Sequence, residues 1–142
     1  MPVIRLLFAT GFMAALCAPA GAYSNATEYL ITQEIAAACE GRPGEIDPAA
    51  VIEKDLTGDG ETDLVLSHEG IGCAGPGPSR SIFCGAQLCT VNFYVRRGGL
   101  LHLEREMLGA GVSVEDGATP RIRMHGAGGR AGTVQWDGRS FQ

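Results

Sequence analysis

The nine residues Asp55-Leu56-Thr57-Gly58-Asp59-Gly60-Glu61-Thr62-Asp63 constrain this chain more than any other stretch. Oxygen-bearing side chains alternate around two glycines, and the segment runs directly into the apolar Leu64-Val65-Leu66. It is preceded by Val51-Ile52-Glu53-Lys54, whose β-branched start reads as a strand. An Asp/Gly-rich turn between two short strands predicts a β-hairpin, because such turns need Asx hydrogen bonds and positive φ. The same pattern has a second meaning. With Asp55 as position one, Asp55, Thr57, Asp59 and Asp63 take the first, third, fifth and ninth places, and Glu61, in the seventh, would offer its backbone carbonyl. Calcium takes six to eight oxygens at about 2.3–2.6 Å, and a loop of this kind supplies most of them. The twelfth place holds Leu66 instead of a bidentate glutamate, and both flanks read as strands, so this is not a helix-loop-helix calcium hand. A structural calcium loop and a solvated, metal-free hairpin both remain open from the residues.

The chain has 142 residues, enough for one domain. Its start does not read as part of that domain. Arg5 precedes an apolar run from Leu6 to Leu16, and Ala20-Gly21-Ala22 supplies a small-residue cleavage pattern. This predicts a signal peptide over residues 1–22 and a mature domain over 23–142; a buried N-terminal helix is the alternative. The run is shorter than the ~20 apolar residues needed to cross a bilayer. Cys17 follows Leu16 and not a small residue, which favours free release over a lipid anchor. Past residue 22 the chain keeps ten basic and sixteen acidic residues, a formal charge of −6. That argues against nucleic acid or an anionic membrane surface as partner. Four of the five cysteines remain: Cys39, Cys73, Cys84 and Cys89. An even count in an exported chain reads as two disulfides. Cys84–Cys89 closes a short loop, which leaves Cys39–Cys73 to pin the N-terminal segment to a sheet. Zinc is the competing chemistry, but no pair has the close two-residue gap of a zinc site.

Ala26 to Cys39 predicts a helix, with Asn25 as cap, Tyr29, Leu30, Gln33, Ile35, Ala36 and Ala37 as a partly amphipathic set, and Gly41 and Pro43 as stops. Asn25-Ala26-Thr27 is formally a glycosylation sequon and is read as part of that cap. Gly44 to Pro48 reads as a polar turn and Glu69 to Ser81 as a long Gly/Pro loop tethered by Cys73. Val91, Phe93 and Val95 alternate with polar residues in the clearest strand, Cys89–Arg97. Gly98-Gly99 then signals a hairpin into Leu100–Met107. Residues 111–115, 121–124 and 132–137 read as three more strands, and GAGGRAG at 126–132 as a flexible connection. The acidic loop occurs once, whereas propellers need several repeats. The expected class is α+β: an N-terminal helix packed on an antiparallel sheet of about five or six short strands, stapled by disulfides. A small all-β sandwich is the alternative.

The string DLTGDGETDLVL resembles the calcium loops of FG-GAP and VCBS repeats, which lie between β-strands of extracellular propellers. The chain also resembles a group of small exported bacterial proteins in which such a loop precedes a cysteine loop and an aromatic strand, as in FCGAQLCTVNFYVRRGG. These tend to end in a pattern like Trp136-Asp137-Gly138-Arg139-Ser140-Phe141. The first resemblance implies calcium and the second implies export.

Other chemistry is sparse. His68, His102 and His125 are scattered and form no zinc-protease helix. Ser79 and Ser81 lie in the Gly/Pro loop with no base evident in sequence. Glu104 and Glu106 read as a solvated strand face. Arg96-Arg97 reads as a charged sheet edge, and Trp136, Tyr94 and Phe93 as core or edge aromatics, with sugar stacking as a minor option. The sequence therefore predicts a non-catalytic periplasmic or secreted protein with structural calcium on Asp55, Thr57, Asp59, Glu61 and Asp63. Its partner would be an unknown protein or envelope component. An inhibitor of a basic target such as a lysozyme and a metal-dependent hydrolase are the other readings.

Overall fold

A computed structural model describes residues 22–142. The leader expected over 1–22, apart from Ala22, lies outside the described residues, as does Cys17. The first element is helix α1, Asn25–Ala38. Ser24, and not Asn25, caps it: the Ser24 side chain accepts the Thr27 N–H at 3.3 Å. The stop is a Schellman turn. Gly41 N–H donates to Ala36 C=O at 2.8 Å and Glu40 N–H to Ala37 C=O at 3.3 Å, with Glu40 at φ 53°. The inward stripe is Thr27, Leu30, Ile31, Glu34, Ile35 and Ala38, so Tyr29, Gln33, Ala36 and Ala37 face solvent, contrary to the expected set.

Eight strands follow: β1 Gly44–Ile46, β2 Val51–Lys54, β3 Asp63–Ser67, β4 Ile71–Cys73, β5 Cys89–Arg97, β6 Leu100–Val114, β7 Ile122–His125 and β8 Ala131–Val134. Six form one curled antiparallel sheet in the order β2-β3-β5-β6-β7-β8, and β1 pairs with β4 beside it. The α+β class is therefore what the chain adopts. Four expectations change in detail. The "polar turn" at 44–48 begins with β1, and the Gly/Pro loop contains β4. The strand expected to end at Met107 continues to Val114, with a register shift between Ala110 and Ser113. The expected connection at 126–132 is a short 3-10 turn, Ala127–Gly129, that leads into β8. Arg96 and Arg97 lie past the end of the β3–β5 ladder and pair with β6 alone, so they border the sheet on that side as expected.

Around β3 both faces of the sheet are covered, which is why that strand is buried at every residue. Val65, Val91, Phe93 and Val95 point into a core shared with Leu56, Ile122, Met124, Val134 and Phe141, where the sheet curls over on itself. Leu64, Leu66, Val51 and Tyr94 point the other way, against Leu30, Ile31 and Ile35 of α1. Truncating a buried leucine such as Leu64 to alanine costs about 2–5 kcal/mol in packing of this kind.

Three tethers hold α1 on the sheet. At its N-terminus, one oxygen of Glu53 on β2 accepts the Ser24 and Thr27 hydroxyls at 2.7 and 2.6 Å. At its middle, Glu34 reaches across to β5. At its C-terminus, the Cys39–Cys73 disulfide joins helix to β4. Cys84–Cys89 forms the second crosslink. Removing Cys39–Cys73 by paired serine substitution is predicted to destabilise by about 3–4 kcal/mol, against about 2 kcal/mol for Cys84–Cys89, because it closes the longer loop. Denaturant titration of the two double variants checks that order.

Candidate functional site

The acidic loop joins β2 to β3, and its carboxylates are occupied by its own backbone. Asp55 accepts Gly58 N–H through one oxygen at 2.7 Å and Gly60 N–H through the other at 2.8 Å. Gly58 and Gly60 stand at φ 80° and 87°, which lets the chain fold back over that carboxylate. Asp59 accepts Glu61 N–H through one oxygen at 2.8 Å. Asp63 is fully buried and faces inward: one oxygen takes Leu56 N–H and Thr57 N–H, and the other takes Arg96 N–H at 2.9 Å. Thr57 Oγ1 is buried with no hydrogen-bond partner. Glu61 is exposed.

The structure thus brings Asp55, Thr57, Asp59 and Glu61 onto one turn and sets Asp63 beneath it as an anchor. Among the described residues, no three His, Cys, Asp or Glu side chains converge as a metal site. Chemically, the donor set suits a hard cation: each carboxylate oxygen keeps a lone pair after one backbone bond, and Asp59 has a whole oxygen to spare.

Sequence reasoning missed a second constellation between α1 and the sheet. His68 is 1% exposed. Its Nδ1 lies 3.0 Å from Ser81 Oγ and its Nε2 lies 2.9 Å from a Glu34 oxygen. The other Glu34 oxygen accepts the Tyr94 hydroxyl at 2.5 Å, and Asn92 Nδ2 donates to that hydroxyl at 3.4 Å. Phe83 packs edge-on against His68, with ring centroids 5.0 Å apart. Ser81 therefore does have a histidine beside it. That serine is only 3% exposed, and its oxygen already accepts the Phe83 N–H. The arrangement ties residues 34, 68, 81 and 94 together and offers no open nucleophile. Its one signal in sequence was Glu34, a carboxylate at helical spacing within the inward stripe.

Burial alone would raise the Glu34 carboxyl. Hydrogen bonds from His68 and Tyr94 outweigh it and hold the group below its ordinary value. Burial and the neighbouring Glu34 push the Tyr94 phenol well upward. Burial would likewise raise the Glu53 carboxyl, but the Thr27 and Ser24 hydrogen bonds outweigh it and hold the group below its ordinary value.

Compared with known protein families, curated proteins and solved structures, the chain matches none.

A carboxylate whose folded pKa is depressed stabilises the fold above its ordinary value of 4.5, and that contribution is lost as pH falls through the lowered value. The melting temperature should therefore drop between about pH 5 and pH 3, and Glu34→Gln should flatten the drop. Glu34→Ala should cost about 1–3 kcal/mol at neutral pH by stranding His68 and Tyr94. A pH series of melting curves on both variants reads this directly.

Proposed function

We propose that this is an exported, non-catalytic binding protein whose acidic loop takes one structural calcium ion. The observation that carries the reading is the pre-shaped turn itself. Backbone amides fix both oxygens of Asp55 and both of Asp63, so the loop's geometry is set before any ion arrives. Asp55, Asp59, the Thr57 hydroxyl and the Glu61 carbonyl would supply protein ligands, with water completing the shell and Asp63 holding the turn from beneath. Thr57 Oγ1, otherwise an unpartnered buried hydroxyl, would gain a partner. Because Asp59 is exposed and held through one oxygen only, it is the ligand free to move onto the ion. Calcium in such a place neutralises clustered carboxylates and stiffens a hairpin; it is not asked to activate a substrate.

Two disulfides support export, since such bonds persist in oxidising compartments. Among the described residues no helix is long and apolar enough to cross a membrane. Ser81, 3% exposed and held against His68, belongs to the packing between α1 and the sheet.

A site of modest affinity, about 0.1–1 mM, is expected for an extracellular module. At tenfold excess over that affinity, calcium should stabilise by about 1.4 kcal/mol and raise the melting temperature by several degrees. The shift should vanish in Asp59→Ala and with chelator. An unchanged melting temperature in wild-type protein would refute the site.

A further inference from the structure

Beside the acidic loop lies an open cavity of about 460 Å³, walled by Arg96, Arg97, Arg139, Trp136 and Asp59. Its size falls within the range of small-ligand sites. The wall is unusual for this chain. The protein carries a net negative charge, yet Arg96, Arg97 and Arg139 line this cavity with one carboxylate among them.

These groups are not equally committed. Arg96 donates through Nε to Thr62 C=O and through Nη2 to Ser24 Oγ, which fixes its plane and leaves Nη1 free. Arg97 pairs through Nη2 with Glu104 at 2.8 Å. Arg139 has no side-chain acceptor among the described residues. It sits on the turn of the C-terminal hairpin, where Asp137 accepts the Arg139 and Ser140 amides at 2.8 and 2.9 Å. Trp136 enters the same hairpin, half-buried, with its ring edge-on to buried Phe141 at 5.1 Å. Its indole N–H likewise makes no hydrogen bond among the described residues. Asp59 keeps one oxygen uncommitted at the rim.

We propose that this cavity binds a carboxylated sugar. A half-buried indole offers the apolar face on which sugar C–H groups stack, with a free N–H beside it. The uncommitted guanidinium of Arg139 matches a carboxylate, which a planar fork recognises in two parallel bonds. In the ion-free loop, Asp59 accepts from hydroxyls and repels a bare anion, which selects a ligand carrying both charge and hydroxyl groups. A basic pocket inside an acidic surface also concentrates such anions locally and discourages long polyanions such as nucleic acid. The inference does not rest on calcium in the loop, because the arginines are the protein's own.

Trp136 is the only tryptophan in the chain, so its fluorescence reports on this cavity alone. An oligogalacturonate titrated up to the order of 1 mM should change that emission, and the change should weaken as salt rises. A neutral hexose oligomer of equal length and sodium sulfate should leave it unchanged. Arg139→Gln, which removes no internal contact, should keep the wild-type melting temperature and weaken binding about tenfold. Arg130→Gln, away from this cavity, should bind as wild type. The response should persist in chelator. No emission change with oligogalacturonate would overturn the proposal. So would an equal response to the neutral oligomer or to sulfate, wild-type affinity in Arg139→Gln, or binding that disappears in chelator.

Discussion

The buried carboxylate of Asp63 is the interaction on which the rest of this structure depends. A charge removed from water is tolerated only when its hydrogen-bonding capacity is met. Three backbone amides meet it, two from the loop and one from β5. The β3–β5 ladder ends at Leu64 opposite Tyr94, so the Arg96 amide lies beyond the last paired residue of β3. Asp63 satisfies it with a side chain where a strand would have used a carbonyl. One residue thus closes the acidic loop, begins β3 and extends the hold on β5. Everything positioned by the loop and by the end of β5, including Asp59, Arg96 and Arg97, inherits its place from that carboxylate.

The second constraint is that α1 meets the sheet through polar groups as well as apolar ones. Glu53 and Glu34 each gather hydroxyl or imidazole partners from the facing element. Partial burial makes these bonds worth more than their surface equivalents and makes a missing partner costly. Exposed pairs such as Lys54–Asp116 contribute little by comparison. The helix is therefore held in register as well as buried, and the disulfide at its end fixes the segment that the sheet does not reach.

Much of this was legible in sequence where the signal was local. Val91, Phe93 and Val95 alternate, and Gly98-Gly99 follows, so β5 and the turn into β6 could be placed to the residue. The oxygen-rich turn marked the β2–β3 hairpin. What escaped was non-local. β1 and β4 are three residues each and pair across a wide sequence gap, with too little pattern to announce a strand. Gly44 looked like a turn residue, but it is a close-approach residue: a Cβ there would lie 2.7 Å from Gly72 C=O. Gly109, just past the expected strand end at Met107, is another: a Cβ there would meet Met124 Sδ at 2.4 Å, so the glycine lets β6 run on beside β7. His68 escaped because its partners come from residues 34 and 81. In the acidic loop the residue types pointed to oxygen chemistry, but only the fold separates Asp63, which serves the backbone, from Asp55 and Asp59, which face outward.

The functional account joins these parts: a loop shaped by its own amides, an ion that would tighten it, and a ligand cavity on its flank. Its central claim is that Asp63 builds the loop from inside, without help from a metal. Native-state hydrogen exchange of the Leu56, Thr57 and Arg96 amides in chelator tests this most directly. The account predicts that all three are protected in the wild-type protein and lose protection together in Asp63→Asn, while the amides of β7 stay slow. Rapid exchange of these three amides in the wild type, or protection unchanged by the substitution, would contradict it.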